Sequence, residues 1–162
     1  MSTNELIQRR AAMMQSRGGG IDWESIARGM CDGVTEFEIP EEAGLDGLRV
    51  CSERRGLKSA VVASGTGTAQ DLFANCTSLL SVTLNGSISN IRNYSFRGAT
   101  NLREVIINAT TPPTLGTNVF QYIDTSQLTI YVPDASVSAY QAASGWSTYA
   151  SIIKGISERP TT

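Results

Sequence analysis

"LFANCTSLLSVTLNGSISNIRNYSFRGATNLREVIIN", residues 72–108, contains one pattern twice. In each copy a Phe (Phe73, Phe96) is followed by a Leu (Leu79, Leu102) and then by a short apolar triplet, Val82-Thr83-Leu84 or Val105-Ile106-Ile107. Working outward, Phe37-Glu38-Ile39, Ala60-Val61-Val62 and Leu128-Thr129-Ile130 extend the series. The first members of the five triplets stand 23, 22, 23 and 23 residues apart, a near-constant step that marks a stacked repeat. Leu57 takes the Leu slot of an earlier copy, Cys51 takes a Phe slot, and Phe120 lies one residue off that slot in a later copy.

A strand alternates its side chains between two faces, so the outer members of each triplet share one face and the middle member points the other way. Val82 and Leu84 are therefore expected inside and Thr83 outside. One rung cannot bury a Phe, a Leu and two further apolar residues alone; parallel stacking lets each rung cover its neighbour's apolar edge. The expected fold is mainly β, a stack of about five rungs over residues 34–132. The outward column is then Glu38, Val61, Thr83, Ile106 and Thr129, the candidate contact face. Val61 and Ile106 are apolar enough to suggest cover by another chain, and the alternative is that these are ordinary β-formers on a solvated sheet.

Residues 71–107 resemble the BspA-type leucine-rich repeat. "TTPPTLGTNVF" followed by "LTIYVPDASVSAYQAASGWSTYASII" resembles the terminal repeat and closing segment of such arrays in proteins of gut bacteria and their phages. The resemblance implies a short leucine-rich-repeat β-solenoid with helical caps at both ends. The stretch "GLDGLRVCSERRGLKSAVVASGTGTAQ" departs from the pattern and carries Arg49, Glu53, Arg54, Arg55 and Lys58, which points to an inserted or distorted loop.

Two segments suit the caps. After Pro133, Asp134 is placed to N-cap a helix carrying Val137 and Tyr140, with Trp146, Tyr149 and Ile153 supplying bulk over the last rung, so residues 133–162 form the C-terminal cap and tail. Residues 21–33 place Trp23, Ile26, Ala27 and Met30 at helical spacing behind Asp22, enough to cover the first strand. Residues 1–20 stand apart. Ser2 and Glu5 have capping-box spacing, and Gly18, Gly19 and Gly20 form a flexible joint. The intervening helix carries a narrow stripe of Leu6, Ile7, Ala11, Met13 and Met14. So short a helix is marginal in water, so the stripe is expected to be an assembly anchor that docks on a partner, with a frayed tail as the alternative.

Composition limits the chemistry. The 162 residues, 41% hydrophobic, suffice for one globular core, and 15 acids against 13 bases give a net charge of −2 with no basic footprint for nucleic acid or anionic membrane. No run reaches the length of a membrane span, and the start lacks the apolar run of a signal peptide. Cys31, Cys51 and Cys76 have no C-x-x-C spacing and read as reduced thiols. Without histidine, Ser-His-acid triads and His-based zinc sites are excluded. The acids Glu36, Glu38, Glu41, Glu42 and Asp46 read as a solvated edge rather than a catalytic pair, and "SGTGTAQ" (64–70) lacks the lysine of a phosphate loop. Asn75, Asn93 and Asn108 fit N-x-[ST] incidentally. No catalytic, cofactor or metal site is expected.

The N-terminus, "LIQRRAAMM" leading through glycines to "IDWESIARGM", resembles the starts of small structural or tail-associated proteins of gut-bacterial phages. Together the two resemblances imply a non-enzymatic virion component made in the host cytoplasm. It would display its repeat domain as fibre, decoration or host-contact module and associate with other virion proteins or with itself. A host-surface protein or glycan is the implied ligand. A bacterial surface adhesin module is the alternative, and an enzyme is the third class.

Overall fold

The computed structural model describes residues 52–53, 55–62, 68 and 70–161, together with the backbone of residues 36–39. The strands in chain order are β1 (Glu36–Ile39), β2 (Ser59–Val62), β3 (Ser81–Leu84), β4 (Asn90–Ile91), β5 (Glu104–Ile107), β6 (Thr114–Leu115), β7 (Thr129–Val132) and β8 (Ile153–Gly155). Six of them form one sheet in the order β1-β2-β3-β5-β7-β8, and β4 pairs with β6 in a second. Every pairing is parallel. The result is a repeat β-rich fold, mostly parallel sheet with few helices.

The register fixes the repeat. Phe37, Ala60, Val82, Val105, Ile130 and Ile153 succeed one another across the sheet, at steps of 23, 22, 23, 25 and 23 residues. This corrects the expectation in two places. The fifth strand is not centred on Leu128-Thr129-Ile130: Val105 pairs with Ile130, so the strand sits two residues further along. Leu128 instead lies buried just before β7, close to the slot that Leu57, Leu79 and Leu102 fill in their rungs. Ile153, expected in the cap, opens a sixth strand.

The alternation expected of the triplets shows as burial in β2 and β3, whereas in β5 and β7 the outward Ile106 and Tyr131 are buried as well. Val82 and Leu84 are fully buried while Thr83 is half-buried, and β2 repeats this with Ala60 and Val62 inside and Val61 outside. The Phe side of each rung is bonded as firmly as the sheet. Phe73 N donates to Ser95 O at 2.8 Å and Phe96 N to Val119 O at 3.1 Å, with Asn75 N to Arg97 O and Gly98 N to Gln121 O, both 2.8 Å, beside them. A second backbone ladder therefore joins the rungs and satisfies turn groups that burial would otherwise leave without partners. Each turn needs left-handed residues flanking the Phe: Asp71, Tyr94 and Asn118 before it, and Asn75, Gly98 and Tyr122 after it, all have positive φ. At Gly98 glycine suits the positive φ, and a Cβ there would also push against the Asn75 side-chain oxygen.

Between the two ladders the Phe rings form a column. Phe73 stacks on Phe96 and Phe96 on Phe120, each with centroids 5.5 Å apart and planes within 10° of parallel; Tyr149 ends the column edge-on at 5.1 Å. Cys76, Leu79, Ile91 and Leu102 fill the remaining interior.

The C-terminal segment differs from the expected single helix. A 3-10 turn (Asp134–Ser136) leads into α1 (Val137–Ala142), then a longer 3-10 stretch (Ser147–Ile152), β8 and a final 3-10 turn (Ile156–Glu158). Asp134 does not cap α1; its carboxylate accepts from Ser157 N at 3.0 Å, tying the two sides of β8 together. Tyr140 and Trp146, both fully buried, meet edge to face at 5.3 Å. The Tyr140 hydroxyl donates to Ala109 O and Trp146 Nε1 to Pro113 O, each at 2.7 Å. The apolar rings thus enter the core while their polar tips satisfy carbonyls of the "NATTPP" loop. The anchor helix and the cap at residues 21–33 lie outside the described residues, as do residues 44–51, 54, 63–67 and 69 of the stretch expected to hold an inserted or distorted loop.

Candidate interaction face

The corrected register rewrites the outward column. Across the sheet Glu38, Val61, Thr83, Ile106, Tyr131 and Lys154 stand in line. Thr129 does point outward, as a two-residue slip preserves the face, but it stands in the neighbouring column beside Glu104, Ser81, Ser59 and Glu36. The structure therefore aligns four of the five expected face residues and replaces Thr129 by Tyr131. Glu38 is placed by its backbone pairing alone. The proposed anchor residues Leu6, Ile7, Ala11, Met13 and Met14 lie outside the described residues.

The two halves of the column differ in exposure. Val61 is 40% exposed, whereas Ile106 and Tyr131, on the same outward face, are only 8% and 7% exposed. The tail reaches this half of the face. Arg159 follows β8, yet its Nε and Nη2 donate to the two Glu104 carboxylate oxygens at 3.0 and 2.6 Å. Glu104 opens β5, two strands away in the sheet order, so the tail passes outside β7 to reach it. The hydrogen bond to Glu104 raises the Arg159 guanidinium above its ordinary value, and Coulombic interaction with Glu104 and Tyr131 adds to it, placing the cation near the Tyr131 phenol. The tail is thus tied to the β5–β7 half of the outward face, whose middle residues are buried, while Val61 on β2 is exposed and Thr83 on β3 half-buried.

The face offers contact chemistry: an apolar side chain, a hydroxyl and flanking serines, with no nucleophile set beside a base. Among the described residues no group of three or more His, Cys, Asp or Glu could hold a metal ion. Cys76 is buried in the core, where it packs among the apolar side chains. No helix of the described residues is long and apolar enough to cross a membrane.

Sequence reasoning missed Tyr131, Lys154 and the Glu104–Arg159 pair. The 23-residue step from Ile130 to Ile153 signals β8 once the fifth strand is in register, but nothing local marks Arg159 as the partner of a residue 55 positions earlier.

A parallel sheet whose strands recur at nearly constant steps, with a Leu and a Phe in fixed places between them, defines a leucine-rich repeat protein. A family model for the BspA-type leucine-rich repeat region matches residues 61–144 in six copies. The match covers more than half of the 162 residues, and the chain belongs to that family. No curated protein matches it.

Proposed function

We propose that this chain is a non-enzymatic binding module that presents the open β2–β3 part of its outward sheet face to a protein partner. The observation that carries the reading is Val61, an apolar side chain left exposed in a column whose β5–β7 half is buried. An apolar residue kept open on a parallel sheet, beside equivalents that are shielded, is what a contact surface leaves when its partner is away. Membership of a repeat family whose stacked rungs build extended surfaces supports it. In this reading the rungs form a short solenoid, closed by residues 133–162 at one end and by the helix at 21–33 at the other.

The setting we propose is a phage particle. Residues 1–20 attach the domain through Leu6, Ile7, Ala11, Met13 and Met14 to other virion proteins or to copies of itself. The repeats then project as fibre, decoration or host-contact module toward a surface protein or glycan. The glycine joint and the N-terminal resemblance support this; the family match equally supports a second reading, a bacterial surface adhesin.

Mass spectrometry of purified particles tests the setting: the chain is expected among the virion proteins, and its recovery from the bacterial surface alone would favour the adhesin. A photo-crosslinking residue at position 61 tests the face. It is expected to capture a partner that the same residue at position 129 does not, and equal capture from both would sink the assignment.

A further inference from the structure

A second surface lies on the turns, away from the sheet, and does not depend on the face described above. There the Arg97 guanidinium is held between two aromatic rings, 5.5 Å from the Tyr94 centroid and 5.7 Å from that of Tyr122. Both tyrosines occupy left-handed slots, φ 60° and 65°, which bulky residues take at a cost and which the neighbouring rungs fill with Asp71, Asn75, Gly98 and Asn118. The fold gains little packing from Tyr122, which is 68% exposed, the most exposed large apolar side chain among the described residues, while Tyr94 is half-buried. A strained backbone position given to an exposed aromatic breaks a local rule without a packing return, and such breaks collect at functional sites.

Arg97 makes the site specific. Its Nε is buried without a hydrogen-bond partner, and among the described residues the side chain forms no ion pair. Stacking accounts for the plane of the cation and leaves its edge unused. The rings also hold the guanidinium, so part of the entropy of ordering a long side chain is already spent before a ligand arrives. Nε is covered, so an approaching anion meets the two terminal nitrogens, whose parallel N–H groups match a carboxylate. The ring edges supply apolar contact to either side. Tyr and Arg are also the side chains that most often dominate the energy of protein interfaces.

We propose that Tyr94, Arg97 and Tyr122 form a recognition site for a glutamate or aspartate carboxylate, flanked by apolar side chains, on the surface of a partner protein. Charge complementarity selects the acid and the two rings select its apolar neighbours.

The test uses the full chain and three blocked peptides, acetyl-Leu-Glu-Leu-amide and its Gln and Lys counterparts, with inorganic phosphate as a fourth probe. Nuclear magnetic resonance follows the Arg97 Nε–H and the two tyrosine rings. The Glu peptide is expected to shift all three in a weak, saturable way, about fivefold weaker in 0.3 M than in 0.02 M salt because the contact is charged and accessible. The Gln and Lys peptides should leave them unmoved. Arg97→Lys, which keeps the charge but loses the planar fork, should weaken the Glu peptide about fivefold. Tyr122→Ser, at an exposed position, should weaken it without lowering the melting temperature. Equal response to Glu and Gln peptides, phosphate binding as tight as the Glu peptide, or undiminished binding by Arg97→Lys and Tyr122→Ser would each overturn the proposal.

Discussion

The rungs at β3 and β5 and the rungs at β7 and β8 share one inward ladder, with Val82, Val105, Ile130 and Ile153 in line, but they end differently. At β3 and β5 a rung is covered above and below by copies of itself, Phe on Phe and turn on turn. At β7 and β8 the copies run out. An edge-on Tyr149 replaces the next Phe, Tyr140 and Trp146 fill the interior, and the tail folds over the outside. Repetition supplies stability where neighbours are alike, whereas the end of the stack relies on single, non-repeated side chains.

The largest effect is expected in the middle of the column. Phe96 is fully buried and stacked on both faces, so Phe96→Ala should cost about 3–5 kcal/mol in a urea titration. Phe120 has a parallel ring on one face only and Tyr149 on the other, and Phe120→Ala should cost less. A larger loss at Phe120 would mean that the end, and not the middle, holds the stack together.

Next comes the closing segment. Tyr140→Phe removes one oxygen and leaves the buried Ala109 carbonyl without its donor, an expected loss of about 1–3 kcal/mol. Burial also pushes the Tyr140 phenol, and less strongly that of Tyr149, above the ordinary value. A phenol raised in the folded state ionises first in the unfolded chain. Its contribution is therefore intact below about pH 10 and is lost as pH rises beyond that. Denaturant midpoints measured from pH 8 to 11 should fall in the wild type and fall less steeply in Tyr140→Phe. Parallel slopes would place the alkaline sensitivity elsewhere.

The same contrast explains what was legible in the sequence. Phe73, Leu79, Val82 and their copies at Phe96, Leu102 and Val105 recur at a fixed step because each must cover the same neighbour, so self-similarity reveals them. The fifth strand was placed two residues early because "LTIYV" alternates in either register, and a slip of two leaves every side chain on its face. The longer turn before it, 25 residues from Val105 to Ile130, is visible only once both strands are fixed. Ile153-Lys154-Gly155 offers one large apolar residue, too little to mark a strand by pattern alone. The Arg159–Glu104 pair has no sequence signal, being a contact between a tail and a strand that only the fold brings together. Of the candidate face, the column was legible and its covering was not.

Thr83→Ala sharpens the division between inside and outside on a single strand. Thr83 is half-buried between Val82 and Leu84, and the change should move stability by no more than about 0.5 kcal/mol. A loss approaching that of Phe96→Ala would show that the outward face is packed against something the fold supplies.

A change at the tail is expected to combine a small energetic effect with the clearest structural consequence. Arg159 and Glu104 bond in a bidentate pair, but their side chains are 45% and 23% exposed, so solvent screens the attraction and Arg159→Ala should cost less than about 1 kcal/mol. The pair nevertheless ties the tail to β5, alongside Ser157 N on the Asp134 carboxylate, Gly155 N on the Glu158 carboxylate and Arg159 N on the Ile156 carbonyl. Freed at Arg159, the last residues should lift from the outward face and expose the Tyr131 ring. Nitration by tetranitromethane, located by peptide mass mapping, should then mark Tyr131 faster in Arg159→Ala than in the wild type, while Tyr122 is modified at the same rate in both. Unchanged protection of Tyr131 would mean that the strands, and not the tail, shield this half of the face, and the distinction between its open and covered halves would then be a property of the rungs themselves.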